Sequence, residues 1–167
     1  MTFPLAKRIY MEALTHRRAT LKDIDEIRKL FQDTVLYVNN KDYTDDETAD
    51  WAACGDCTEH WKSLIDGQYF VVAISPGDNI IGFASICSDG HLHSMYVHKD
   101  HQGEGVASLL LCVMESYAAL HGIREMTSDV SITALPFFKR KGFTVEKKQK
   151  AMARKLCLTN YKMRKTL

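Results

Sequence analysis

His101-Gln102-Gly103-Glu104-Gly105-Val106-Ala107-Ser108 separates two segments of different periodicity. Before it, His91-Leu92-His93-Ser94-Met95-Tyr96-Val97 reads as extended chain. After it, Leu109, Leu110, Val113, Met114, Tyr117 and Leu120 recur at helical spacing, with Gly122 as a natural C-cap. A glycine-rich turn at such a junction leaves backbone N–H groups free at the helix start, where the helix dipole adds partial positive charge. Phosphate binds there. Gly103 and Gly105 keep the approach open, because a side chain would hold an anion off the backbone.

The spacing narrows the ligand. No Lys follows Gly105 within the turn, which argues against a nucleoside-triphosphate loop, and Ser108 stands where a dinucleotide loop has its third glycine. Gln102, Gly105 and Ala107 instead spell Gln-x-x-Gly-x-Ala. This resembles the pyrophosphate-binding motif of the GCN5-related N-acetyltransferase (GNAT) superfamily. The resemblance runs from about Leu14 to Lys165. It implies a mixed α/β domain with a mostly antiparallel central sheet of six to seven strands, splayed between the fourth and fifth, and about four flanking helices. It implies acetyl-CoA as co-substrate, its pyrophosphate held by Gln102, Gly103, Glu104, Gly105, Val106, Ala107 and Ser108. It further implies a bulged fourth strand whose backbone at Met95, Tyr96 and Val97 receives the pantetheine arm, an amide near Met95 polarising the thioester carbonyl. Glu104 is unusual beside an anion and is expected to point to solvent.

The flanking sequence gives the other elements. Thr20 reads as an N-cap, followed by the apolar stripe Ile24, Ile27, Leu30, Phe31, Val35 and Val38. Thr44 to Ala53 reads as a second helix. Tyr69 to Ile74 and Ile80 to Cys87 read as strands about the Pro76-Gly77-Asp78-Asn79 turn, and Asp89-Gly90 turns into the His91 strand. Met126 to Ile132 reads as strand, Ala134 to Lys141 as a short helix, and Val145 to Ala153 and Leu156 to Met163 as a final strand pair. Met1 to Glu12 reads as a flexible arm, and 13–167 as the domain.

Composition excludes more than it assigns. The chain has 167 residues, enough to bury roughly 70% of its unfolded surface. A net charge of +1 gives no field for nucleic acid or membrane, and the basic stretch from Glu146 to Lys165 reads as a solvated strand face. No apolar run approaches about 18 residues and no segment reads as a signal peptide, so a cytoplasmic protein is expected. Five cysteines, an odd number, argue against a disulfide framework. Cys54-Gly-Asp-Cys57 has the spacing of a metal pair, but zinc needs four ligands and the other cysteines are scattered, so no metal is expected.

Acyl transfer to an amine needs the amine neutral, and an alkyl ammonium has a pKa near ~10.4, so a base near the thioester helps. Strict strand alternation puts His91, His93, Met95 and Val97 on one face, and Leu92, Ser94 and Tyr96 on the other. His93, with His91, is the candidate base, since imidazole titrates near ~6.5. The paired histidines resemble those of superfamily members in which such residues relay the amine's proton. Ser131-Ile-Thr-Ala134-Leu-Pro-Phe137-Phe138-Lys-Arg-Lys-Gly142-Phe143 resembles the superfamily's Asn-x-x-Ala-x-x-Leu-Tyr-x-Lys-x-Gly-Phe block. Ser131 replaces its Asn and can still hydrogen-bond the pantetheine arm. Phe138 replaces a Tyr that often protonates the leaving thiolate, leaving Tyr96, Tyr43 or Tyr69 as stand-ins.

Tyr43 and Trp51 are candidates for the acceptor wall, although Trp51 and Trp61 read more readily as core. Asp45, Asp46, Glu47 and Asp50 read as helix-start chemistry before amine attraction. The expected function is transfer of acetyl to a small-molecule or peptide amine by direct attack, with a non-catalytic acyl-CoA-binding module as the alternative. A homodimer through the last strands is common among proteins of this kind.

Overall fold

A computed structural model describes residues 4–167. In chain order its elements are α1 (Leu5–Glu12), β1 (Thr15–Arg18), α2 (Ile24–Tyr37), α3 (Asp45–Ala53), α4 (Thr58–Gly67), β2 (Tyr69–Ile74), β3 (Ile80–Ile86), β4 (Leu92–Val97), α5 (Val106–Leu120), β5 (Glu125–Ser131), α6 (Leu135–Arg140), β6 (Thr144–Met152) and β7 (Cys157–Thr166). β1 to β4 form an antiparallel meander, while β5, β7 and β6 form a second antiparallel sheet with β7 in the middle. β2 and β3 are almost wholly apolar because both their faces are covered. One core cluster lies against α5, with Leu110, Met114, Val71, Ile86 and Met126. The other lies against α2 and α4, with Ile27, Phe31, Trp61, Phe70 and Phe83.

The two sheets touch at one end only. His91 bridges Thr127 in parallel, Thr127 N donates to Gly90 O (3.2 Å), and Ser128 Oγ donates to Leu92 O (2.8 Å). Beyond that point β4 and β5 share no ladder, so the seven strands part at the fourth and fifth as the resemblance implies. Six helices flank them rather than about four. The additional two are α1, inside the segment read as a flexible arm, and α4, where Trp61, Leu64 and Ile65 bury one stripe. Met1 to Phe3 of that arm lie outside the described residues. Among the described residues no helix is long and apolar enough to cross a membrane.

One local feature overturns the strict alternation expected of β4. Ser85 pairs with Ser94, but the next pair is Ile86 with Leu92, which leaves His93 without a partner on β3. This bulge lets Leu92, Met95 and Val97 all pack on the α5 cluster, while His93 turns to the opposite side with Ser94 and Tyr96. His93 therefore does not share a face with Met95 and Val97, and Tyr96 does not face away from it.

Candidate active site

The glycine turn and the start of α5 have the geometry that anion binding requires. Gly105 is the residue before the helix and sits at φ +89°, ψ +1°, and Gly103 at φ +71°, both in the left-handed region that disfavours a side chain. The N–H groups of Val106, Ala107 and Ser108 have no carbonyl one helical turn earlier to bond. α5 approaches the sheet closely here, because a Cβ on Gly82 of β3 would lie 2.8 Å from Val106 Cγ1. Gln102 Nε2 donates to Val97 O (2.8 Å) and His98 O (3.3 Å), which fastens the turn to the end of β4. Val106 is buried beneath the turn and contributes only its backbone.

Glu104, expected to point to solvent, is instead held beside the turn. Its Oε2 lies 2.8 Å from His101 Nδ1, and that nitrogen lies 3.3 Å from the Tyr10 hydroxyl on α1. The carboxylate is thereby drawn toward α1. Burial, with Glu104 nearby, raises the Tyr10 pKa.

A cavity of about 500 Å³ runs from the turn along the edge of β4. Its walls include Gly103, Gly105, Ala107 and Ser108 at one end, and Ser131 with Phe138 at the other. The β4 edge is partly unsatisfied by construction. His98 N donates to Ile81 O (2.8 Å), so along the antiparallel ladder Ser94 and Tyr96 bond to β3, and Met95 and Val97 turn outward. Val97 O is taken by Thr34 Oγ1 (2.9 Å) and by Gln102, whereas Met95 and the Val97 N–H face the gap between the sheets. Lys41 and Arg140 also line this cavity and supply the cations that the turn lacks. Ser131 Oγ accepts from Ala134 N (3.1 Å) at the entry to α6.

A second cavity of about 320 Å³ lies between α3, α4 and the β6–β7 hairpin. The two cavities share His93, Ser94, Tyr96, Trp51, Asp129 and Ser131. They meet at the bulge. His93 Nδ1 is 2.7 Å from Ser94 Oγ. When Nδ1 carries the proton, Nε2 is left as the basic nitrogen. Loss of bulk water around the ring lowers the His93 pKa; His60 and His91 act in the same sense, and Asp129 opposes them. The imidazole is then neutral at neutral pH. His91 lines neither cavity: its Nδ1 is 2.9 Å from Thr127 Oγ1, and its Nε2 is 3.9 Å from Asp129 Oδ2.

The tyrosines differ in what their hydroxyls are free to do. Tyr43 OH donates to Thr159 O (2.7 Å) and accepts from Ile132 N (2.9 Å), so it pins the end of β5 to β7 and presents only its ring to the smaller cavity. Tyr69 stacks on Tyr117 at 4.3 Å and lines neither cavity. Tyr96 lines both, and burial pushes its phenol far above the usual value. Trp51 lies half-buried, edge-on to Tyr43 (5.5 Å) and Tyr96 (6.4 Å), whereas Trp61 is core, its Nε1 donating to Gly55 O (2.9 Å).

Two of the acids of α3, Glu47 and Asp50, are committed to structural contacts. Glu47 and Thr44 cap each other, and Asp50 Oδ2 accepts from Arg154, Lys155 and Leu156 N (2.9, 2.8 and 2.9 Å), anchoring the hairpin. Those backbone donors lower the Asp50 pKa. Cys54 faces the smaller cavity while Cys57 is exposed, so the pair does not converge. Asp129, Ser94 and His60 also line the site, and no local motif in the sequence marks them. Asp129 sits on the β5 face opposite Met126, Ser128 and Val130, a period-2 signal that marks its face but not its neighbours.

Comparison with known proteins agrees with this geometry. The family model described as the acetyltransferase (GNAT) domain matches residues 39–165. N-acetyltransferase YafP of Escherichia coli K12, itself uncharacterized, is 29% identical over 143 residues, spanning 85% of this chain and 89% of that protein. A crystal structure from Rhodopseudomonas palustris, described as a GCN5-related N-acetyltransferase (Aminotransferase, Class-II), superposes with a TM-score of 0.88 at 25% identity, over 92% of this chain and 95% of that one. The PaiA N-acetyltransferase of Thermoplasma acidophilum, solved with coenzyme A, shares the fold at a TM-score of 0.75 and 16% identity, over 92% and 99% of the two chains. The chain belongs to the GNAT acetyltransferase domain family.

Proposed function

We propose that this chain moves an acetyl group from acetyl-CoA to a primary amine by direct attack within a ternary complex. The observation that carries the reading is the meeting of two cavities at His93, one ending in an anion-receiving helix start and the other bordered by the helices and the last hairpin. The residues suit coenzyme A. The N–H groups of the turn and α5 receive its pyrophosphate, Lys41 and Arg140 balance further phosphate charge, and the outward edge at Met95 and Val97 pairs with its amide-bearing arm. When bound, acetyl-CoA supplies the activated acetyl group as a thioester.

His93 takes one proton from the bound ammonium, leaving the nitrogen lone pair free. The amine nitrogen attacks the carbonyl carbon, its bond to that carbon forms as the carbon–sulfur bond breaks, and the sulfur leaves with the electron pair. The nitrogen loses its second proton and the sulfur gains one. Net, an ammonium and a thioester give an amide, a thiol and one proton. In this reading the outward-facing Met95 N–H polarises the carbonyl oxygen. Tyr96, protonated at neutral pH and lining both cavities, is the proton donor to the sulfur in this reading; with a thiol pKa near ~8.5 the sulfur departs readily in any case. His91 acts through Asp129 and is a positioning residue.

Phe138 in place of Tyr favours a second reading, a module that binds acyl-CoA without transfer. Thermal unfolding with acetyl-CoA, with ATP, and in a parallel thiol-release assay with amines separates the two. Ligand at 100 times its dissociation constant adds about 2.7 kcal/mol, a shift of several degrees. A shift with acetyl-CoA but not ATP, together with amine-dependent thiol release, is expected. A shift without release from any amine would leave only the binding module.

A further inference from the structure

The first helix touches the glycine turn from the side away from the larger cavity. α1 buries none of its eight residues, and Leu5 and Ile9 are 72% and 57% exposed. Its half-buried side chains include Tyr10 and Met11, in its last turn. Met11 lies along Gly105, where a Cβ would fall 2.8 Å from Met11 Cε and 3.5 Å from its Sδ. Tyr10 is joined to the turn through Glu104. His101 Nδ1 lies 2.8 Å from Glu104 Oε2, and once it donates its proton there it has no lone pair for the Tyr10 hydroxyl 3.3 Å away. The phenol proton turns to the same carboxylate. Burial first, then the charge of Glu104 and this hydrogen bond, raise the Tyr10 pKa. None of Tyr10, Met11, His101 and Glu104 lines the larger cavity, whereas Gly103, Gly105, Ala107 and Ser108 do.

A turn with two glycines at positive φ is loose by composition, and ordering it when an anion arrives costs conformational entropy. The contact with Met11 removes part of that freedom beforehand. Glu104 adds an electrostatic hazard, because its carboxylate would repel a pyrophosphate if it swung to the cavity side. We propose that α1 clamps the turn from behind, with Tyr10 and Met11 as positioning residues that keep the turn ordered and the Glu104 carboxylate off the bound anion, a role that rests on the acetyl-CoA reading above. The segment that reads as a flexible arm thereby sets cofactor affinity without lining the cofactor cavity.

Calorimetric titration with CoA tests this on the full chain and on Tyr10→Phe, Tyr10→Phe/Glu104→Gln and Met11→Ala. Tyr10→Phe keeps the ring and frees the carboxylate. The Kd for CoA is expected to rise about five- to tenfold, the scale of a unit charge moved a few ångströms nearer an anion at a partly exposed site. Removing that charge in Tyr10→Phe/Glu104→Gln should restore the wild-type Kd, a rescue that lost packing at Tyr10 would not allow. Met11→Ala should raise Kd and, without ligand, quicken hydrogen exchange at the Leu109 N–H, which donates to Gly105 O (3.0 Å), while exchange at Met114 further along α5 stays unchanged. An unchanged Kd in Tyr10→Phe, a rise that Glu104→Gln does not reverse, or unaltered exchange at Leu109 in Met11→Ala overturns the clamp. Wild-type protein that binds no CoA is a different failure, because it removes the acetyl-CoA reading and the clamp's role with it.

Discussion

Replacing His93 by Ala tests the centre of the mechanism, and its effect depends on pH in a way that can be worked out beforehand. An alkyl amine of pKa near ~10.4 is neutral in about one molecule in 2,500 at pH 7 and about one in 25 at pH 9. With His93 present, the ammonium is bound and deprotonated in place, so kcat/KM climbs only until the imidazole is neutral. Burial lowers the His93 pKa, so that limb lies below the ordinary value near ~6.5 and the profile is flat above it. Without the base, only the neutral amine already in solution reacts, and the rate rises about tenfold per pH unit.

The expected loss is therefore roughly 10²-fold at pH 7, at the lower end of what general bases contribute, shrinking toward unity by pH 9. His93→Gln is the companion variant, because its amide can keep the contact to Ser94 Oγ that the imidazole makes at 2.7 Å. It should show the same kinetic loss without the penalty of about 1 kcal/mol for an unpaired serine. Thiol release from pH 6 to 9 supplies the rates, and the CoA-induced thermal shift should be unchanged in both variants. Parallel pH profiles for wild type and variants, or a loss under threefold at pH 7, would refute the assignment.

Three further outcomes are expected. Asp23 Oδ2 and Oδ1 accept from Arg17 Nη1 and Nη2 (2.8 and 2.9 Å), and Oδ2 accepts from Thr20 N (2.7 Å), which holds the carboxyl at about 2 instead of 3.8. A depressed acid stabilises the fold above its unfolded value and loses that stabilisation as pH falls, so Asp23→Asn should cost about 2 kcal/mol at pH 7, with the gap closing between pH 4 and 2; an unchanged gap at pH 2 in thermal melts would contradict it. Asp50→Ala removes the acceptor of three N–H groups, so hydrogen exchange at Arg154, Lys155 and Leu156 should accelerate and KM for the amine rise while the CoA shift persists. Gly105→Asp places a Cβ at φ +89°, 2.8 Å from Met11 Cε, and a carboxylate beside the turn, so the CoA shift should vanish; a retained shift would mean the turn does not hold the pyrophosphate.

What the sequence discloses is what local chemistry dictates. The turn is legible because Gly103 and Gly105 answer to a backbone need within a few residues, and α5 because its apolar spacing is internal to the helix. α4 carried its own signal in Trp61, Leu64 and Ile65, but the Cys, Gly and Asp residues just before it suggest a loop. Side-chain commitments across the chain are not legible in this way. Tyr43 reads as an acceptor-wall residue until Thr159 and Ile132, 116 and 89 positions away, take both capacities of its hydroxyl. Glu104 reads as solvated until His101 and Tyr10 draw it aside. Asp129 and His60 become site residues only when β5 and α4 are brought against β4.

The bulge at His93 shows most sharply why the candidate base escapes an alternation argument. Register between β3 and β4 is set by the pairs Gly82–Val97 to Ser85–Ser94, all of which obey a period of two. The additional residue at position 93 lets Leu92 stay in the α5 core, where it is 1% exposed, without forcing His93 in beside it. A regular strand would have to bury either His93 or the face that carries Tyr96. The same irregularity coincides with the end of contact between the sheets, since β5 bonds the chain at Gly90 and Leu92 but not beyond. One inserted residue thus separates the base from the strand edge it must serve, placing His93 toward the smaller cavity and the free edge at Met95 toward the larger. Deleting His93 to restore the regular ladder should therefore do more than remove a base. It should straighten β4 with Leu92 still opposite Ile86, strain the Gly90 and His91 contacts to Thr127, and lower both stability and CoA binding, whereas His93→Ala, which keeps the bulge, costs little beyond the contact to Ser94 and leaves CoA binding intact.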